Sequence, residues 1–492
     1  MDTFGRVQLI YYSSDGYRSW NVRTRPAIPE GMPILVDDDL RFEDGVGQSR
    51  PTAVVNQWLR ELPASGCASP GSWASYARAV RDWMTFLAGR GVGLFDERDR
   101  LRAGLSAYAE YRATGPLAAR FEASTWNQHM SVLTGFYRWA SAERYAAAEP
   151  FTYRSAVVSY AGQPERRVVN TAMRRRAKDH VTIKYLEADF AELFLSALAG
   201  LGPDGGADAT FRGWNVTRNA AIGRLALSTG LRLQEFSSLL VDEIPPLPAR
   251  PTALPILFPV PAAITKGRKF RTTWIGYEAL AAVHSYVDLD RMLHVQGSRW
   301  RPPAKAGLPL VVTEADTRGG RVNGQRVRWD TLRPAERLRL VAPGGGSPLL
   351  AVRSTGGPFT AWPTVFARTA ARVRQRWEPR FPHVHPHRLR HSFAVGTLQR
   401  LVGGYYQQVS RLVTDADGDA ALAFYLAKAD PLMVLRDLLG HSSVLTTEKY
   451  LRRLDMTRVY RDAYDRAAGD VGLAEQQAAQ READEEFDEA DD

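Results

Sequence analysis

The sequence predicts a mainly α protein with a small β-sheet: a helical domain in the first third, then a larger α+β domain. Three observations carry this expectation. Between residues 50 and 160, apolar side chains recur at three- and four-residue steps, the period of a helix face. Beyond residue 181, helical patterns alternate with short runs rich in β-branched and aromatic residues, such as KFRTTWI. At 492 residues, with 45% hydrophobic and 24% charged side chains, the chain has length and composition for several ordinary globular cores.

Residues 1–49 read as an irregular amino-terminal extension. RVQLIYY suits a short strand and DGYRSWNVRTRPAIPEGMP is turn-rich. Residues 50–160 read as a four-helix domain. AVVNQWLREL and ERDRLRAGLSAYAEY supply two helices, and two aromatic-rich stripes supply the others. One stripe is Trp73, Tyr76, Ala77, Val80, Trp83, Met84 and Leu87; the second is Trp126, Met130, Leu133, Tyr137 and Ala140. Residues 161–180 have the composition of an exposed basic linker, with Arg174, Arg175 and Arg176 in a row. From 181 to 473, EADFAELFLSALAGL and RNAAIGRLALSTGLRLQEFSSLL read as helices, and PILFPVPAA and KFRTTWI as strands around a turn at Thr265–Arg268. Residues 474–492 read as an acidic, disordered tail.

Charge narrows the partner class. The chain carries a net +10, yet its last nineteen residues hold nine acidic side chains against one arginine, leaving the remainder at about +18. Such a balance favours a polyanion. Only seven of the 64 basic residues are lysines, so each lysine stands out. The longest apolar stretch, PTALPILFPVPAAI, is too short to span a bilayer and is broken by four prolines. The start MDTFGRVQ lacks a secretory pattern, and Cys67 is the only cysteine, so no internal disulfide can form. A cytoplasmic protein with no membrane partner is expected.

Chemistry concentrates in four segments. In LLGHSSVLTTEKYL, His441 stands nine positions before Tyr450. A phenol is a poor nucleophile at neutral pH unless its neighbours stabilise the phenolate. STGLRLQEF offers Arg232, whose planar guanidinium matches two phosphate oxygens, with Glu235 placed to orient it. ITKGRKFR offers Lys266 on a tight turn, where an ammonium can protonate a leaving alkoxide, followed by Lys269 and Arg271. HPHRLRH offers His387, Arg390 and His391. On its own, the tract His383, His385, His387 and His391 is equally suited to zinc. The neighbouring arginines and the tyrosine segment favour phosphate chemistry instead.

Taken together, the four segments resemble the catalytic boxes of the tyrosine recombinase (phage integrase) family. The resemblance implies catalytic roles for Arg232, Lys266, His387, Arg390, His441 and Tyr450. It implies supporting roles for Glu235 and His391, and DNA-backbone contacts from Lys269, Arg271, Arg174, Arg175 and Arg176. In that scheme Lys266 is the general acid, His387 accepts the phenol proton, and Tyr450 forms a 3′-phosphotyrosyl link to DNA without metal or other cofactor. Residues 50–160 are similar to the family's core-binding (SAM-like) domain, so two domains would clamp double-stranded DNA. Synapsis by a homotetramer, or a hetero-tetramer with related recombinases, would follow, with the protein nucleoid-associated when bound. Two stretches exceed the family's usual outline: residues 297–346, rich in Pro, Gly and Arg, and residues 402–427, which widen the gap between Arg390 and His441 to 51. The expected activity is site-specific recombination for integration, excision or transposition of a mobile element. Three alternatives stay open: a type IB topoisomerase-like relaxation activity, a non-catalytic DNA-binding protein, and a zinc-dependent nuclease.

Overall fold

A computed structural model describes residues 7–13, 28–67, 69–160, 163–174, 184–402, 430–448 and 450. The chain divides into two compact units, Met1–His180 and Val181–Asp492.

The first unit is built on four helices, α1 (Pro51–Glu61), α2 (Pro70–Ala88), α3 (Arg98–Thr114) and α4 (Ala123–Ala142). The two aromatic stripes form its core: apart from half-buried Tyr76, every side chain in them is buried. Two of its buried polar side chains pair inside that core. Trp83 Nε1 donates to the Tyr137 hydroxyl at 3.0 Å, which in turn donates to the Leu94 carbonyl at 2.9 Å.

Two expectations for this unit need correction. The amino-terminal extension is not wholly irregular. Strand β1 (Gln8–Tyr11) pairs antiparallel with β2 (Pro33–Val36), and Met32 and Leu35 are fully buried in the helical core. PILV is a short apolar run that the flanking turn residues obscured. The expected basic linker contributes β4 (Gln163–Asn170), which pairs antiparallel with β3 (Tyr153–Tyr160). The Asn170 amide then donates to Thr134 Oγ1 on α4 at 2.9 Å, tying the hairpin's end to the core. Cross-strand pairing outweighed the charge that made this segment read as linker.

The second unit begins with α5 (Ala188–Leu198), α6 (Val216–Thr229) and α7 (Leu233–Ser238). The sequence read α6 and α7 as one helix. The chain breaks at Gly230, which adopts φ +61° and caps α6 through its N–H to the Ala226 carbonyl. Next come β5 (Ile256–Val260) and β6 (Arg271–Ile275), an antiparallel pair with Val260 opposite Arg271, then α8 (Tyr277–Tyr286) and α9 (Met292–Val295).

Residues 297–346 were expected as an insertion and contain a small sheet of their own. Its strands β7 (Leu310–Ala315), β8 (Gly319–Val322) and β9 (Gln325–Arg328) form an antiparallel meander. After α10 (Pro334–Arg337), β10 (Leu340–Val341) pairs parallel with β7. Fully buried Arg337 anchors the sheet by donating to both Glu243 carboxylate oxygens at 2.6 and 2.7 Å.

The unit closes with α11 (Trp362–Arg376), α12 (Pro386–Val402), α13 (Pro431–Leu439) and α14 (Val444–Glu448). One core joins α5–α8, α11 and the start of α12. A second joins α12 and α13 and includes Trp274 and Tyr450. Residues 403–427 of the second expected insertion lie outside the described residues, as do the tail 474–492, Arg175 and Arg176. Among the described residues, no helix is long and apolar enough to cross a membrane.

Candidate active site

The break at Gly230 makes the site. By ending α6 there, the chain sets Arg232 as the extended residue that caps α7. Glu235, three positions on, accepts from the Arg232 backbone N–H at 2.7 Å and from Arg232 Nη1 at 3.1 Å. The Glu235 side chain is 1% exposed and that of Arg232 26%, so the carboxylate sits inside and the guanidinium reaches toward solvent.

A second arginine holds the same carboxylate. Arg271, buried at the start of β6, donates from Nη1 and Nη2 to the two Glu235 oxygens at 2.8 and 2.7 Å. Its Nε donates to the Leu438 carbonyl at 3.1 Å. The structure thus turns Arg271 inward, with three of its five N–H donors engaged within the protein, where a contact to a DNA phosphate was expected. Burial alone would raise the Glu235 pKa, but the Arg271 hydrogen bonds and the charges of Arg271 and Arg232 outweigh it and hold the carboxyl below its usual value.

Arg390, on α12, is 2% exposed. Its Nη1 donates to the Gly230 carbonyl at 2.6 Å and its Nη2 to the Leu439 carbonyl. Burial foremost, then nearby Arg232, lowers its pKa to about 9, which leaves it charged at neutral pH. Three guanidinium groups thus crowd one carboxylate. The cluster carries net positive charge, which suits an anion.

The phenol meets this cluster. Tyr450 is 4% exposed, and its hydroxyl lies 2.8 Å from Nδ1 of His391. Burial raises its pKa, opposed by Arg390 and Arg232. Burial, with the charges of His387 and Arg390, lowers the His391 pKa to about 4, so the ring is neutral at neutral pH. In its Nε2-protonated tautomer, His391 accepts the phenol proton. His387 is exposed, its ring 4.5 Å from that of His391. The imidazole on the phenol is therefore His391, and the acid/base role expected of His387 is not borne by a contact to Tyr450.

His441 follows the α13 cap and lies parallel to the Tyr450 ring at 6.4 Å. Burial, then the charges of Arg390, Arg232 and Arg271, lower its pKa to about 3. Its Nδ1 is 3.0 Å from Oγ1 of fully buried Thr447. When Thr447 donates, the remaining N–H of His441 is left free for a ligand.

The other expected residues stand apart. Lys266 and Lys269 are exposed on the β5–β6 turn, where Thr265 Oγ1 accepts from the Lys269 N–H at 2.9 Å. Strand β6 joins that turn to the cluster, and Gln234 Nε2 on α7 donates to the Ile264 carbonyl just before it at 3.1 Å. Arg174 does not lie free for a phosphate. It donates to the carbonyls of Ala109 at 2.8 Å and Phe121 at 3.4 Å, and stacks over Trp126. Among the described residues, no three His, Cys, Asp or Glu side chains are grouped to hold a metal ion.

Residues 55–144 match the model of the phage integrase N-terminal SAM-like domain. No curated protein matches the chain. Among solved structures, it is similar to the XerA recombinase, at 15% identity over 84% of this chain and 98% of that one, with a TM-score of 0.32. The XerH site-specific recombinase bound to its palindromic difH substrate gives 13% identity over 84% of each chain and a TM-score of 0.44. The Tn1549 transposon integrase in complex with transposon right end DNA gives 14% identity over 84% of this chain and 99% of that one, with a TM-score of 0.45.

Sequence reasoning missed the inward role of Arg271 and the part of Thr447. Strand alternation held a signal for the first: in RTTWI, Arg271 and Thr273 share a face with apolar Ile275, and all three are buried. Nothing in the sequence marked Thr447 over Thr446.

Proposed function

We propose that this protein is a site-specific DNA recombinase whose nucleophile is Tyr450. The observation that carries the reading is a buried phenol, hydrogen-bonded to a neutral imidazole and acted on by the nearby charges of Arg390 and Arg232. In the reaction, Tyr450 Oη attacks the phosphorus of a DNA phosphodiester and passes its proton to His391. The P–O5′ bond breaks as the P–Oη bond forms, giving a 3′-phosphotyrosyl link. Lys266 supplies the proton that the departing 5′ oxygen needs. A 5′-hydroxyl then attacks the link, restores the phosphodiester and frees the tyrosine.

Arg232 and Arg390 bind the two non-bridging oxygens, which gain charge in the five-coordinate transition state. His441 adds an N–H donor. An entering phosphate also offsets the arginine charges that depress His391, making that ring a better base. The substrate is double-stranded DNA, the working form a tetramer on two synapsed sites, and the setting the integration, excision or transposition of a mobile element in the cytoplasm.

The test is a nicked suicide duplex carrying the protein's own flanking DNA, resolved on a denaturing gel. The wild-type chain should form a covalent protein–DNA adduct, and Tyr450→Phe should form none while binding DNA with unchanged affinity. An adduct that persists in Tyr450→Phe refutes the assignment.

A further inference from the structure

Arg271 ties the Glu235–Arg232 pair to the end of α13. It starts the strand that leaves the Lys266 turn. Its two terminal nitrogens grip Glu235, which in turn fixes both the backbone and the side chain of Arg232. Its Nε holds the Leu438 carbonyl, one of the unpaired carbonyls at the carboxyl end of α13. Its stem also shapes the exit from that helix. A Cβ on Gly440, which adopts φ +63°, would stand 2.7 Å from Arg271 Cδ. Beyond Gly440 the chain presents His441. Residue 271 is thus bonded to segments 36 and 167 positions away, and no lysine offers three donors in a fixed plane.

We infer that Arg271 is a positioning residue that sets Arg232 and His441 in one register around the scissile phosphate. The inference rests on the phosphodiester chemistry proposed above and adds to it a residue that touches no DNA. Loss of register by about 1 Å is enough to cost on the order of 100-fold in rate.

Arg271→Lys keeps the charge beside Glu235 but cannot hold Glu235 and the Leu438 carbonyl together. In single-turnover cleavage of the suicide duplex, Arg271→Lys should be slowed roughly 100-fold, with DNA affinity within about threefold of wild type. A merely structural defect would lower both together. The decisive comparison is a double-mutant cycle: because part of its effect runs through Arg232, Arg271→Lys should cost clearly less in the Arg232→Ala background than it does alone. Losses that multiply, or a wild-type rate in Arg271→Lys, overturn the inference.

A second readout needs no chemistry. The Arg232 Nε–H NMR signal of the full-length protein, assigned by its absence in Arg232→Ala, should shift in Arg271→Lys; an unmoved signal overturns the inference. Failure of the wild-type chain to form an adduct would count against the phosphotyrosyl mechanism instead, leaving this spectroscopic test to decide the role of Arg271.

Discussion

Replacing Glu235 by Gln tests the charge balance of the site. The carboxylate is 1% exposed and accepts four hydrogen bonds, two from Arg271 and two from Arg232. Glutamine keeps one acceptor oxygen and turns an NH₂ toward donors, so at least the bidentate grip of Arg271 is lost. A buried arginine deprived of its counter-ion costs about 3–5 kcal/mol. For a large domain each kcal/mol moves the melting temperature by roughly 2–4 °C, so a drop of about 6–20 °C is expected at pH 7. The pH dependence has a definite sign. Because the Glu235 pKa is lowered from 4.5 in the folded state, its ionised form stabilises fully above that value. The contribution fades as pH falls below 4.5 through the folded pKa. The gap between wild type and variant should therefore be constant from pH 7 to about 5 and shrink below 4.5. Circular dichroism melts across that range read both quantities. A gap under about 2 °C at pH 7, or one that widens on acidification, refutes the charge argument.

Two further outcomes are expected. Gly230→Ala forces a Cβ into the left-handed region and to within 2.2 Å of Phe393 Cδ1. Strain and overpacking together should cost about 2–4 kcal/mol, seen as a lower urea midpoint with an unchanged slope. His391→Phe preserves the packing against Tyr450 but removes the proton acceptor, so cleavage should fall roughly 10²–10⁴-fold while DNA affinity holds. A His391→Phe rate near wild type would move the base role elsewhere, with His387 the next imidazole in line.

The sequence made local features readable and long-range ones hard to see. The helical stripes of α2 and α4 announced their buried faces because a helix repeats its face every few residues. Arg232, Arg390 and Tyr450 could be named because their segments resemble the catalytic boxes of the tyrosine recombinase family. By contrast, the split between His387 and His391 depends on which face of α12 meets Tyr450, and no spacing within HPHRLRH decides that. Arg271 reads as one more exposed cation until the Glu235 carboxylate, 36 residues earlier, is seen facing it. Likewise, Arg174 sits in an arginine run that suggests a solvated surface, yet Trp126 and two carbonyls take it in. The small sheet within 297–346 was hidden by its high content of glycine, proline and arginine. Its core consists of a few apolar side chains, Val312, Val322, Trp329 and Leu340 among them, spread over a long stretch.

The Arg390 guanidinium bridges carbonyls at Gly230 and Leu439, which are far apart along the chain. Closing loops that long comes late in folding. A ribosome-bound chain that has not yet delivered α13 would already expose cationic surface, but it would have no formed pocket and no nucleophile. Chains released early by truncation would share that state: able to cling to a polyanion, chemically unable to break it.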